Sequence, residues 1–122
     1  MSCVAAKVVV KKIFDNKLKA KVTSQIEETV KREAKKNGLE YKSNCADGWI
    51  LTITAEIELD GDELSIKLAT TGLGLKGRDT FQAKKSRGVK GIDTDDIENE
   101  VLTNTDTAMT ESMESMIKVM VP

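Results

Sequence analysis

Residues 49–73, WILTITAEIELDGDELSIKLATTGL, decide the fold. Leu51, Ile53, Ala55, Ile57 and Leu59 alternate with Thr52, Thr54, Glu56 and Glu58, a period of two that marks a strand with one wet face. After Asp60-Gly61-Asp62 the alternation resumes in phase, with Leu64, Ile66 and Leu68 against Ser65, Lys67 and Ala69. Two in-phase amphipathic runs joined by a Gly/Asp turn predict a β-hairpin. Threonine and glutamate on its outer face imply a sheet covered on one side only, with helices on the other.

Charge fixes the register. A two-residue turn at Gly61-Asp62 sets Leu59 against Leu64, Ile57 against Ile66 and Glu56 against Lys67, so apolar and ionic pairs agree. Moving the turn to Asp60-Gly61 puts Glu58 opposite Glu63, a like-charge pair costing a few tenths of a kcal/mol. The first register is the one predicted.

The rest of the 122-residue chain fits around this hairpin, making one domain spanning residues 1–122. Aromatics are 3% of residues, so the core must be aliphatic and methionine-built. Val4 to Phe14, with its Val8-Val9-Val10 triplet, reads as a strand, and a continuous apolar triplet suits a more buried one. A helix follows, starting near Lys17 or, if Thr23, Ser24 and Glu27 form a capping box, near Ser24. It would end at Asn37, with Lys35 and Lys36 at its negative pole, Gly38 in the left-handed conformation and Leu39 beyond it. Leu39 to Ser43 is a short strand, Asn44 to Gly48 a turn, and Gly72, Gly74 and Gly77 a flexible connection to a strand over Thr80–Ser86 with Phe81 and Ala83 inward. The last helix begins near Asp95, capped by Asp93 or Thr94, with a break expected in the poor helix formers of Thr103 to Thr107. The sum is an α+β two-layer sandwich: a mostly antiparallel sheet of four to five strands with two helices on one face.

Charge is uneven: Met1–Lys42 carries eleven Lys/Arg against five Asp/Glu, whereas Asp93–Pro122 carries one Lys against eight acids. Two readings follow, a basic first helix packed beside an acidic last one, or a basic face for an anionic partner. Without histidine, Cys3 and Cys45 are too few for a Cys/His zinc site, and no metal is expected. The pair could form a disulfide in an oxidising compartment, which requires both ends to meet at one end of two neighbouring parallel strands; otherwise Cys45 is a small buried hydrophobe and Cys3 a frayed or acylated end. Met1 to Ala6 lacks the charged-then-apolar order of an export signal, and no apolar run is long enough to span a membrane.

Candidate sites are few. Gly72-Leu73-Gly74-Leu75-Lys76-Gly77 matches G-x-G-x-x-G, but a dinucleotide site needs that pattern between a strand and a helix, and here a strand follows. Lys76, Arg78, Lys84, Lys85, Arg87 and Lys90 form a basic cluster that could bind an anionic ligand or nucleic acid, yet lysines also guard exposed strand edges and only Phe81 is at hand for stacking. Glu58, Asp60, Asp62 and Glu63 lack the loop of a calcium site. Met109, Met113, Met116 and Met120 form an apolar stripe that is either core or a partner-facing surface. With no histidine as general base, and only Cys45, lysines and carboxylates left, a non-catalytic protein without cofactor is expected.

In element order, with Asp47-Gly48-Trp49-Ile50-Leu51-Thr52-Ile53 leading into the hairpin, the chain resembles the amino-terminal domain of TolB and the penicillin-binding protein activator domains of the bacterial envelope. That resemblance implies a non-catalytic periplasmic or membrane-tethered module that binds another envelope protein. The rival expectation is anion or nucleic-acid binding through the basic cluster.

Overall fold

In the computed structural model, which describes residues 2–121, the hairpin is formed by β3 (Trp49–Asp60) and β4 (Glu63–Gly74). Asp60 pairs with Glu63, Leu59 with Leu64 and Glu56 with Lys67, so the turn is Gly61-Asp62, with Gly61 at φ 62°. The five strands lie in the order β2-β1-β3-β4-β5, where β1 is Cys3–Ile13, β2 is Glu40–Tyr41 and β5 is Thr80–Val89. β1 runs parallel to both β2 and β3, and the rest of the sheet is antiparallel. Helices α1 (Lys19–Lys36) and α2 (Ile97–Met120) cover one face. Leu51, Ile53, Ile57, Leu64 and Ile66 point into that layer with no exposed surface.

The start of α1 is the earlier of the two expected. Asp15 accepts a hydrogen bond from the Lys17 amide, a 3-10 turn at Asn16–Leu18 leads in, and Thr23 lies inside the helix with its hydroxyl on the Lys19 carbonyl. At the other end Gly38 has φ 78°, its amide reaches the Lys35 carbonyl, and the Leu39 amide reaches that of Ala34 at 2.9 Å. These two bonds make a Schellman motif, and buried Leu39 supplies its apolar contact.

α1 and α2 lie side by side and run parallel, because both follow strands of one direction: Lys21 pairs with Glu98, and Arg32 with Asp106 and Thr110. Cations on α1 thus face acids on α2, which is where the uneven charge of the two chain ends is used. Asp106 also accepts from the buried Thr29 hydroxyl at 2.7 Å. The expected break at Thr103–Thr107 is absent, and α2 is continuous. Asn104, Asp106 and Thr107 have tertiary or local hydrogen-bond partners, whereas Thr105 is held by packing alone, its buried hydroxyl unpaired. Asn104 donates to the Glu100 carbonyl and accepts from Arg87, Thr107 bonds the Thr103 carbonyl, and Thr105 and Ala108 are fully buried. A few tenths of a kcal/mol of propensity per residue is outweighed by such contacts.

The methionine stripe is core. Met109 and Met113 have no exposed surface, Met116 retains 1% and Met120 5%, which corrects the partner-facing expectation for all four. Flexible, unbranched thioethers fill the space between α2 and the sheet that a core poor in aromatics leaves.

Candidate interaction surfaces

The face of the sheet opposite the helices is uncovered except at the end where the turn carrying Cys45 packs on Cys3 and Ala5. It carries Lys7, Val9, Lys11 and Lys12 from β1, Thr52 to Glu58 at alternate positions of β3, Lys67 of β4 and Lys84 of β5, a mixture of hydroxyls and charges. Val9 stands 44% exposed in it. Lys12 and Glu58 form an ion pair at 2.9 Å, which holds the Glu58 carboxyl below its ordinary value, first through that hydrogen bond and then through the charge.

The six basic candidates do not converge. Lys85 and Arg87 point to the helix side, where Lys85 meets Glu111 at 2.6 Å and Arg87 donates to Asn104 at 2.8 Å. Lys84 lies on the open face, Lys76 and Arg78 in the turn between β4 and β5, and Lys90 just past the opposite end of β5. Strand alternation divides a cluster that is contiguous in sequence. The Lys85 ammonium holds the Glu111 carboxyl below its ordinary value, mainly by hydrogen bonding. The unfolded chain therefore takes up that proton at a higher pH than the folded one. The contribution of the pair is complete above the ordinary carboxylate range and is lost as pH falls through the lowered value. Glu111→Gln is expected to flatten the acid limb of the urea midpoint against pH; an unaltered acid limb would mean that the pair contributes nothing.

Two glycines of the G-x-G-x-x-G pattern are strand residues rather than a flexible connection. Gly72 lies opposite Phe81 and Gly74 opposite Trp49, and the rings cover the glycine backbones: a Cβ on Gly72 would lie 2.2 Å from the Phe81 ring, one on Gly74 3.1 Å from that of Trp49. The two rings meet with centroids 5.4 Å apart, tilted by 50°. Glycine here makes room for aromatic cross-strand packing, and the resemblance to a phosphate loop has that origin.

Below the sheet's open face, Cys3 and Cys45 are bridged, with a Cα separation of 5.8 Å. β1 and β3 are parallel neighbours, so the turn entering β3 passes the start of β1. Ala5 and Ile50 pack around the bridge. The sulfur of Cys45 is thereby not available as a nucleophile, and that of Cys3 not as an acylation site. Reduction, or Cys45→Ser, is expected to lower stability by roughly 4 kcal/mol for a bridge closing a loop of this length. Urea unfolding with and without reductant measures it.

At the β2 side, Tyr41 stands at the sheet edge above α1, where burial and then the nearby Glu27 and Glu28 keep its phenol protonated to higher pH than usual. Beyond Tyr41 the outer edge of β1 has no neighbouring strand. That edge was not anticipated from the sequence; the signal for it was an eleven-residue strand facing a segment too short to match it. Among the described residues no helix is long and apolar enough to cross a membrane.

No family model matches the chain, and no curated protein matches it. Solved structures with the same fold do exist. An uncharacterized protein superposes with a TM-score of 0.72 at 8% identity, over 94% of this chain and 92% of its own. A PelC dodecamer from Paraburkholderia phytofirmans gives 0.61 at 9% identity, over 92% and 85%. Protein XCC0632 from Xanthomonas campestris, of family DUF330, gives 0.56 at 14%, over 95% and 81%. None of the three is a TolB or penicillin-binding protein activator domain, and at such identities the likeness is one of fold.

Proposed function

We propose that the chain is a non-catalytic protein-interaction module of the bacterial cell envelope. The observation that carries the reading is the sheet itself: beyond the end covered by the Cys3–Cys45 bridge, the face opposite the helices, with its threonines and charged side chains, lies open beside two unpartnered edges. The Cys3–Cys45 bridge supports an oxidising compartment, where such bonds form and persist. A bacterial chain of this fold, PelC, forms a dodecamer, so the fold is compatible with extensive protein contacts.

Site-specific photo-crosslinking in bacterial cells tests it. A photoreactive residue at Thr52, on the open face, is expected to trap a protein partner, while one at Glu28, on the outer side of α1, traps little. Equal trapping at both, or none, overturns the reading. The adduct is expected to survive raised salt. A steep fall with salt, abolished by replacing Lys76, Arg78, Lys84 and Lys90, would instead favour the anion or nucleic-acid binder.

A further inference from the structure

The outer edge of β1 is an incomplete sheet. β1 has eleven residues, but its outer neighbour β2 has two, and they meet only Cys3 and Val4. The amide of Glu40 donates to the Ser2 carbonyl and that of Lys42 to the Val4 carbonyl, which identifies the even-numbered residues of β1 as those whose peptide groups point outward. After Lys42 the chain turns aside to bring Cys45 to Cys3. The outward peptide groups of Ala6 and Val8 are left without a strand to pair with.

The side chains on either side of this edge differ in chemistry. Ala6 and Val8 project to the helix side, where they pack against the core yet remain half-buried, because nothing covers them from outside. Lys7, Val9 and Lys11 stand on the open side, all exposed. Among the described residues Lys12 is paired with Glu58, while Lys7 and Lys11 make no ion pair. The opposite edge of the sheet is unlike this one. On β5 the cations Lys85 and Arg87 are held by α2, and Lys84 remains to repel an approaching basic strand.

We infer that the outer edge of β1, from Ala6 to Val10, accepts an extended segment of another polypeptide as an added strand, with apolar residues over Ala6 and Val8 and acidic residues beside Lys7 and Lys11. This rests on the interaction reading above and names its partner: main-chain bonds give the affinity, and the alternation of acidic and apolar side chains gives the selectivity. β2 already occupies the first two positions of the same track, so the added strand continues the line that Tyr41 begins.

The probe is a synthetic heptapeptide alternating Glu and Val, titrated into the oxidised full chain while amide exchange is followed residue by residue. It is expected to bind and to slow exchange of the Ala6 and Val8 amides at least tenfold, with no change on β5. A peptide alternating Lys and Val is expected to bind about tenfold more weakly, the worth of two surface ion pairs, and a Glu/Val peptide with proline at its centre not at all. In the Lys7→Glu, Lys11→Glu double variant the preference between the two peptides should invert. Equal binding of both charge types, protection on β5 alone, or absence of binding overturns the inference. So does protection of Ala6 and Val8 in the protein by itself with sedimentation as a dimer, because the occupant would then be a second copy. Crosslinking from Thr52 in cells without peptide binding removes this edge site and leaves the interaction reading standing. Peptide binding with no crosslinked protein in cells removes the reading and leaves the edge.

Discussion

Gly48→Ala is expected to lower the unfolding free energy by about 4 kcal/mol or more, a loss that places it among the exceptional single substitutions. An added Cβ would lie 1.8 Å from the carbonyl oxygen of Cys3, with the carbonyl carbon and amide nitrogen of the same residue within 2.8 Å. These are backbone atoms, so no rotamer change can relieve the clash. Nor can either segment easily yield. Val4, next to Cys3, is in register with Trp49, and Cys3 is bridged to Cys45 three residues before the glycine. On the other side the Leu75 amide bonds the Gly48 carbonyl at 2.8 Å. Urea unfolding should show a lower midpoint with unchanged slope, and Gly88→Ala provides the comparison, since a Cβ there meets nothing within 4 Å and its effect should stay within about 0.5 kcal/mol. In a background lacking both cysteines the Gly48 penalty should shrink, because β1 and the turn are then free to separate. A midpoint that does not move would mean that β1 and the turn are not in contact.

What could be read in the sequence was what side-chain period and charge encode. The hairpin register followed from them because the turn at Gly61-Asp62 sets Glu56 opposite Lys67, as observed, whereas a turn at Asp60-Gly61 would have set Glu58 opposite Glu63. The end of α1 followed from Gly38, whose positive φ the terminating bonds require. Where propensity alone was the guide it failed. The Thr103–Thr107 segment stays helical because Asn104 and Asp106 bond to Arg87, Thr29 and Arg32, partners from two other elements that no local window contains. Val8-Val9-Val10 suggested a more buried strand. Instead Val10 is buried, Val8 half-buried and Val9 exposed, since the open face is unpaired with any second layer. The candidate site was the least legible part. Residues contiguous in sequence, from Lys84 to Arg87, fall on opposite sides of β5, while the β1 edge emerges from a mismatch of strand lengths that depends on strand order.

The methionines distinguish a core from a contact surface by a measurement on the protein alone. Met113 has no exposed surface and lies on α2 between Met109 and Met116 in the layer against the sheet. Truncation to alanine removes most of the side chain from a closed region, losing the transfer free energy of the deleted atoms and leaving a cavity, together about 2–5 kcal/mol. Met113→Leu keeps the volume nearly constant and should cost less than about 1.5 kcal/mol. Val119, on the same helix but 51% exposed, gives the contrast, and Val119→Ala should fall within about 0.5 kcal/mol. A partner-facing Met113 would behave in the opposite way: truncation would leave the unfolding midpoint of the isolated chain in place and weaken only an association. An alanine variant with an unshifted midpoint would therefore overturn the core assignment of the stripe, and with it the explanation of how a chain with so few aromatic residues fills the space between α2 and the sheet.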